Sequence, residues 1–244
     1  MGVSIIIPTL NEARALPQTL ANLTTLSVKP LEVIVADAGS EDETCAKAVE
    51  AKATVLADLP KGRAGQMNAG AENARGDILC FLHADTIVPP DFIDLVESVL
   101  ADPRTALAGF VSVMRGAQGV RRVTTAHNFI KTWYAPLVFR PVSFVRGCRL
   151  LFGDQVIICR RSDFEAIGGW DSTQAIMEEA DLCLRMVRSG RGRVRQVPRK
   201  VWSSDRRVEE WGFWRANLTY LYVGLMWGFG ANSKRLADRY EDVR

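Results

Sequence analysis

The chain has 244 residues, 48% hydrophobic and 24% charged, which is enough apolar material for one large domain or two small ones. Its 31 Lys and Arg stand against 28 Asp and Glu, and a net charge of +3 excludes the strongly basic balance of a general nucleic-acid binder. The 5 cysteines are odd in number and form no Cys-x-x-Cys, which argues against a disulfide framework or a zinc site and for free thiols in a reducing, cytoplasmic compartment.

The start, MGVSIIIPTL, has neither the basic n-region nor the long apolar core of a secretory signal. Residues 3–7 are a β-branched run that Pro8 is expected to stop. Asn11-Glu12 leads into a helix through Leu16, Leu20 and Leu23. Residues 31–36 read as a second strand. Ser40-Glu41-Asp42-Glu43 has the form of a capping box for the next helix. A weaker strand at 53–56, a helix at 63–74 and a fourth strand at 77–82 follow. Apolar strands alternating with helices predict an α/β fold whose parallel sheet is covered on both faces.

The second half is less regular. Residues 89–100 read as helix, 106–114 as strand and 123–134 as helix. Residues 142–153 mix Gly, Arg and aromatics and read as a loop able to order over a substrate. A strand at 156–159, a short helix at 161–168 and a helix at 178–188 closed by Gly190 follow. Residues 185–207 are rich in Arg and Lys and read as a solvated face, or as a contact for an anion or a membrane surface. Residues 211–230 are apolar and aromatic, but Arg215, Asn217 and Thr219 interrupt them. A bilayer span needs about 20 mostly apolar residues. The segment therefore reads as a helix packed on the core or on another copy of the chain, with a helix in the membrane plane as the alternative.

Polar clusters follow the strands, where open α/β sheets bind ligands. Asp85, ending the run Phe81-Leu82-His83-Ala84-Asp85, offers a hard oxygen ligand for Mg²⁺ or Mn²⁺, or caps the helix after Pro89-Pro90. Pro8-Thr9-Leu10-Asn11-Glu12 lines a nucleoside pocket or makes a plain turn. Asp37-Ala38-Gly39-Ser40 offers a carboxylate to a base or ribose, or a capping turn. Lys61-Gly62-Arg63, with Asn68, presents a planar fork of donors suited to a base edge or a phosphate. Each cluster is weak by itself; the combination is specific.

Residues 4–12 (SIIIPTLNE), 33–44 (VIVADAGSEDET), 61–86 (KGRAGQMNAGAENARGDILCFLHADT) and the Glu178-Glu179 pair occur in the order of the motifs of family-2 glycosyltransferases. The chain resembles these inverting enzymes over residues 3–190. The GDQ at 153–155 and the SSDRR at 203–207 are similar to a compact bacterial subgroup found beside radical-SAM and selenium-related genes. The resemblance implies an α/β, GT-A (Rossmann-like) fold: a mostly parallel central sheet flanked by helices, with a C-terminal helical extension. It divides the chain into a nucleotide-sugar half at 1–110, an acceptor half at 111–205 and an amphipathic, aromatic extension at 206–244.

The same resemblance implies a nucleotide diphosphate sugar donor, expected to be UDP-linked, an unidentified acceptor hydroxyl, and Mn²⁺ or Mg²⁺. Asp37 matches the acidic residue that reads the base, and Arg63 a basic nucleotide contact. Asp85 matches the last Asp of the DxD motif, the metal ligand. Glu179 matches the Asp of the ED motif, the general base. Ser204, Arg206 and Arg207 fall where phosphate contacts are placed. Pro8, Thr9, Asn11, Glu12, Asn68, His83 and Ala84 complete the expected nucleotide-binding set. His83 replaces the first Asp of DxD, which removes one carboxylate. Glu179 lengthens the base by one methylene. Asp181 is a rival base, or the partner that orients Arg185. A nucleotidyltransferase would carry a Gly-rich basic loop after the first strand, and none is present there. A nucleotide-sugar-binding protein without turnover is the other alternative, kept open by His83 and Glu179. The expected location is cytoplasmic, with peripheral contact at the inner face of a membrane, or a homo-oligomer contact, assigned to 211–230.

Overall fold

A computed structural model of the chain describes residues 2–116 and 119–237, so the last part of the expected extension, 238–244, lies outside the described residues. The first half runs β1 (Val3–Thr9), α1 (Leu16–Thr24), β2 (Glu32–Asp37), α2 (Thr44–Glu50), β3 (Thr54–Leu56), α3 (Arg63–Asn73) and β4 (Ile78–Phe81). All seven residues of β1 are buried. Ile6 pairs in parallel with Ile34 of β2 on one side and with Phe81 of β4 on the other. The strand does not stop at Pro8. Ile6 turns its carbonyl toward the β4 side and Thr9 toward the β2 side, so Pro8 faces the β4 side, where β4 has already ended. No ladder partner asks for the missing N–H.

The chain continues through β5 (Thr86–Ile87), α4 (Phe92–Ala101), β6 (Thr105–Gly116), β7 (Gly119–Val120), α5 (Arg122–Phe139), α6 (Pro141–Val145), β8 (Ile157–Arg160), α7 (Arg161–Ala166), α8 (Glu178–Arg188), β9 (Arg193–Ser204), α9 (Arg206–Trp211), α10 (Phe213–Gly228) and α11 (Ser233–Ala237). The strands form one sheet in the order β3-β2-β1-β4-β8-β6-β9-β5, with β7 on β6. The first four strands are parallel. β8 then enters antiparallel between β4 and β6, and β9 returns parallel to β6. The sheet is therefore parallel across β3-β2-β1-β4 and mixed beyond it.

Alternation along β1 feeds two cores. Ile5 and Ile7 pack with Leu16, Leu20, Phe92 and Val96 on one face. Ile6 packs with Met67, Phe81, Trp170 and Leu182 on the other. Truncating one of these side chains to Ala costs about 2–5 kcal/mol, because the cavity relaxes only in part.

Three local expectations change. Residues 142–153 do not form an open loop: α6 begins the segment, and Cys148, Leu150 and Leu151 are at most 1% exposed within the second core. Ser40 does not cap α2, which starts at Thr44 without a side-chain cap bond. Its hydroxyl donates to Asp37 and accepts the Asn11 N–H instead. The basic run 185–207 is not simply a solvated face, since β9 lies inside it, with Val194, Val197 and Val201 buried. A bulge between Val197 and Lys200 removes Pro198 from the ladder, which is where a strand tolerates proline.

Candidate active site

The carboxyl ends of β1 and β4 and the start of α3 open onto a cleft of about 870 Å³. Pro8, Thr9, Glu12, Arg63, His83, Ala84, Asp85, Glu179 and Arg206 all line it. Asp85 and Glu179, far apart along the chain, thus face one cavity. Asn11, Asp37, Asn68 and Asp181 do not line it among the described residues.

The ends of β1 and β2 are fixed by hydrogen bonds between loops. Asp37 is fully buried, and its carboxylate accepts the Thr9 hydroxyl at 2.8 Å and the Ser40 N–H at 2.7 Å. Burial by itself would raise the Asp37 carboxyl, but the bonds from Ser40 and Thr9 outweigh it and hold the group below its ordinary value. Gln66, which the sequence did not single out, donates to the carbonyls of Thr9 and Ala36, each at 2.7 Å, and so ties the ends of β1 and β2 together. Asn11, at φ 55°, accepts the Glu41 N–H and joins the first two loops. Asn68 turns away from the cleft and exchanges two hydrogen bonds with the Trp170 backbone. Arg63 stands on the cleft wall and pairs with Glu178 at 3.0 Å.

At the end of β4, Arg206 bridges two carboxylates. Its guanidinium donates to both oxygens of Glu12, at 2.9 and 3.0 Å, and to Asp85 at 3.1 Å. Ser203 donates to the other Asp85 oxygen at 3.4 Å. Burial raises the Asp85 carboxyl above its ordinary value, against the pull of Arg206. Ser204 lines the same cleft, and the side chain of Arg207 lies outside the described residues. Asp205 also reaches the cleft, 1% exposed, and among the described residues its carboxylate oxygens have no well-formed hydrogen-bond partner, the Val208 N–H being a weak one. Burial pushes it up to about 6, with Arg121 opposing. No group of three or more metal-binding side chains converges among the described residues. Asp85 and Asp205 both lie on this cleft and are hard oxygen donors of the type a Mg²⁺-class ion takes, too few for a protein-only shell, so a bound ligand's oxygens would have to complete it.

Glu179 opens α8 and is 6% exposed. Burial, then the charge of Glu178, push its carboxyl up to about 7, while Arg63 pulls down. His83 and Glu179 approach each other across Gly153. A Cβ on Gly153 would fall 2.3 Å from His83 Nε2 and 2.5 Å from Glu179 Oε1, so only glycine admits this approach. Asp181 lies on the far side of α8, paired with Arg185 at 2.6 Å, and Arg185 in turn donates to the carbonyls of Ile167 and Gly169.

The sequence missed three further cleft residues. Lys131 sits 3.6 Å above the Phe152 ring, its ammonium lowered by burial and supported by Asp154 and Glu179. Asp154 accepts from Asn128 at 2.7 Å. Burial raises the Asp154 carboxyl, with Lys131 opposing. Lys131 and Asn128 project from a helix that reads as ordinary, and the GDQ run was the available signal for Asp154.

Residues 4–166 match the family model described as Glycosyl transferase family 2. A pre-mycofactocin glycosyltransferase of Mycobacterium tuberculosis is 26% identical over 219 residues, covering 85% of this chain and 43% of that protein. A poly-beta-1,6-N-acetyl-D-glucosamine synthase of Staphylococcus aureus is 26% identical over 187 residues, covering 73% and 44%. The chain thus spans less than half the length of these curated relatives. Among solved structures, a mannosyltransferase from Pyrobaculum calidifontis superposes with TM-score 0.68 at 20% identity, covering 99% of this chain and 65% of that one. Glucosyl-3-phosphoglycerate synthase from Mycobacterium tuberculosis gives TM-score 0.65 at 20% identity, covering 93% and 79%. These two likenesses carry the fold alone, GT-A, while the family match spans most of the sequence. On that match this protein belongs to glycosyl transferase family 2.

Proposed function

We propose that the chain transfers a sugar from a nucleoside diphosphate sugar to an acceptor hydroxyl, with inversion at the anomeric carbon. One observation carries the reading: Asp85 and a raised Glu179 line the same cleft. The donor class is supported by the mannosyltransferase described with GDP-Man and Mn²⁺, and by the synthase described with UDP and Mn²⁺. A uridine nucleotide is the expected donor base.

The nucleoside end is assigned to Pro8, Thr9 and Arg63, with Asp37 acting from beneath Thr9. The diphosphate end is assigned to Asp85 and Arg206. Asp85 and Asp205 would hold Mn²⁺ or Mg²⁺, which when bound neutralises charge on the leaving diphosphate. Arg206 is already fixed at that end by Glu12. It favours the transition state over the ground state as charge grows on the leaving oxygen. Glu179 takes the proton of the acceptor hydroxyl as that oxygen attacks the anomeric carbon. A value near 7 suits a base that must be ionised yet strong at neutral pH. Lys131 favours its ionised form, and Gly153 sets its place beside His83.

The test is Glu179→Gln. Turnover should fall about 10²–10⁴-fold while donor affinity by calorimetry stays within about threefold. Wild-type turnover in that variant would move the base role elsewhere. A product of retained anomeric configuration, read by proton NMR, would overturn the single-displacement scheme.

A further inference from the structure

Helix α5 is inverted in polarity. Thr124, Asn128, Thr132 and Pro136, one i, i+4 row, are buried against the protein. The opposite row, Val123, Ile130 and Leu137, is 61, 53 and 51% exposed. A surface helix of a water-soluble domain normally does the reverse. Helix α10 adds a second such stripe. Ala216 and Val223 point inward, while Trp214, Leu218 and Leu225 stand 75, 60 and 37% exposed at i, i+4 and i+11. The two helices adjoin: Phe139 meets Phe229 edge-on at 5.2 Å, and Arg140 donates to the Gly228 carbonyl. Of 18 large hydrophobic residues exposed among the described residues, 14 belong to 123–145 and 214–229.

Charge is just as segregated. No Asp or Glu occurs from Pro103 to Gly153, nor from Trp211 to Ala237, and these stretches hold 11 Lys and Arg although the whole chain nets only +3. Arg122, Arg146 and Arg215 are exposed. No helix of the described residues is long and apolar enough to cross a membrane. A second copy docking through the same face would bring cations against cations, because a two-fold contact pairs each patch with itself. An anionic bilayer offers both hydrocarbon for the stripes and counter-charge for the cations.

We infer that α5 and α10 form a docking face for the surface of an anionic lipid bilayer. The proposal does not depend on the donor chemistry. It takes up the membrane-plane alternative for 211–230, since the outward stripe of α10 is exposed and not packed on the core.

The test floats the full chain with vesicles of phosphatidylcholine alone, or with about a third phosphatidylglycerol, at about 0.05 M and about 1 M salt. Binding to the anionic vesicles should exceed neutral binding at least about tenfold and should weaken in high salt. Trp214→Glu with Leu218→Glu should lower that binding at least about tenfold, with an unchanged melting temperature, since both side chains are exposed. Val123→Glu with Ile130→Glu should do the same from α5. Brominated lipid should quench wild-type tryptophan emission, a readout that needs no variant. Equal partition to neutral and anionic vesicles would overturn the proposal. So would a stable dimer by light scattering that Trp214→Glu with Leu218→Glu dissociates, or no flotation and no quenching.

Discussion

Substituting Gly153 by Ala isolates the geometry of the candidate site from its chemistry. The added methyl would lie 2.3 Å from His83 Nε2 and 2.5 Å from Glu179 Oε1, where ordinary contact begins at 3.4 Å. The two side-chain tips must retreat by about 1 Å, a displacement that in a positioned site costs about 10²-fold in rate. The fold itself has little to lose. Gly153 is not among the residues with positive φ, so Ala suits the backbone. The atoms it meets are the ends of flexible side chains. Crowding of about 1–3 kcal/mol is partly offset by the roughly 0.4–1 kcal/mol that Ala gains through the unfolded chain. At about 2–4 °C per kcal/mol for a chain of this size, the melting temperature should move by less than about 10 °C. Release of nucleoside diphosphate from a donor panel, with water as acceptor, reads the rate; circular dichroism reads the melt. Gly153→Ala combined with Glu179→Asp, which withdraws the carboxylate by one methylene, should recover part of the loss. Turnover of Gly153→Ala within about threefold of wild type would refute the argument that this glycine holds the base in place.

Four other outcomes follow from the site's electrostatics. Glu179 and Asp205 have folded values of about 7 and about 6 against ordinary values of 4.5 and 3.8, so between these the native state holds protons that the unfolded chain has released. Ligand-free stability should therefore decline as pH rises from about 4 through about 7, and a melting temperature that climbs over that interval would contradict the assignment. Turnover should instead rise through about pH 7, because the base must lose its proton to work. Arg206→Ala leaves Glu12 and Asp85 facing each other without their shared cation, which should destabilise the protein by about 1–3 kcal/mol, and added Mn²⁺ should raise the variant's melting temperature more than the wild type's. Lys131→Met removes a positive charge from beside Glu179 and should move the acid limb of the pH–rate profile upward; an unmoved limb with reduced activity would leave Lys131 a packing residue only.

The parallel half was legible because its strands are unbroken apolar runs, and the polar clusters after β1 and β4, with Lys61-Gly62-Arg63, meet at one cleft, while the cluster after β2 lies beneath it. Asp85, Glu179 and Arg206 were named from motif order, and all three face that cleft. What stayed hidden depended on partners distant in sequence. β9 carries Arg on its outward positions and a proline at a bulge, so local pattern spoke against a strand. Ser40 has the local form of a cap, yet the Asp37 carboxylate lies close enough to claim its hydroxyl. Lys131, Asn128 and Asp154 meet only because α5 lies across the segment 152–155, which no periodicity reports. Asp181 could be ranked against Glu179 only once its surroundings were known, since Arg185 neutralises it away from the cleft, and Asp205 emerged only from its burial on the cleft wall.

The position of β8 has a bearing on how the chain is born. β4 finds its second neighbour only when Ile157–Arg160 has been made, well after Ile78–Phe81 leaves the ribosome. At about 5–20 residues per second, that edge waits on the order of 4–16 s with its backbone donors and acceptors unclaimed. An unshielded, wholly apolar strand edge is an invitation to intermolecular pairing. Slow translation or a truncated transcript should therefore precipitate the nascent protein, and any factor that shields this margin during synthesis should raise the yield of folded chain.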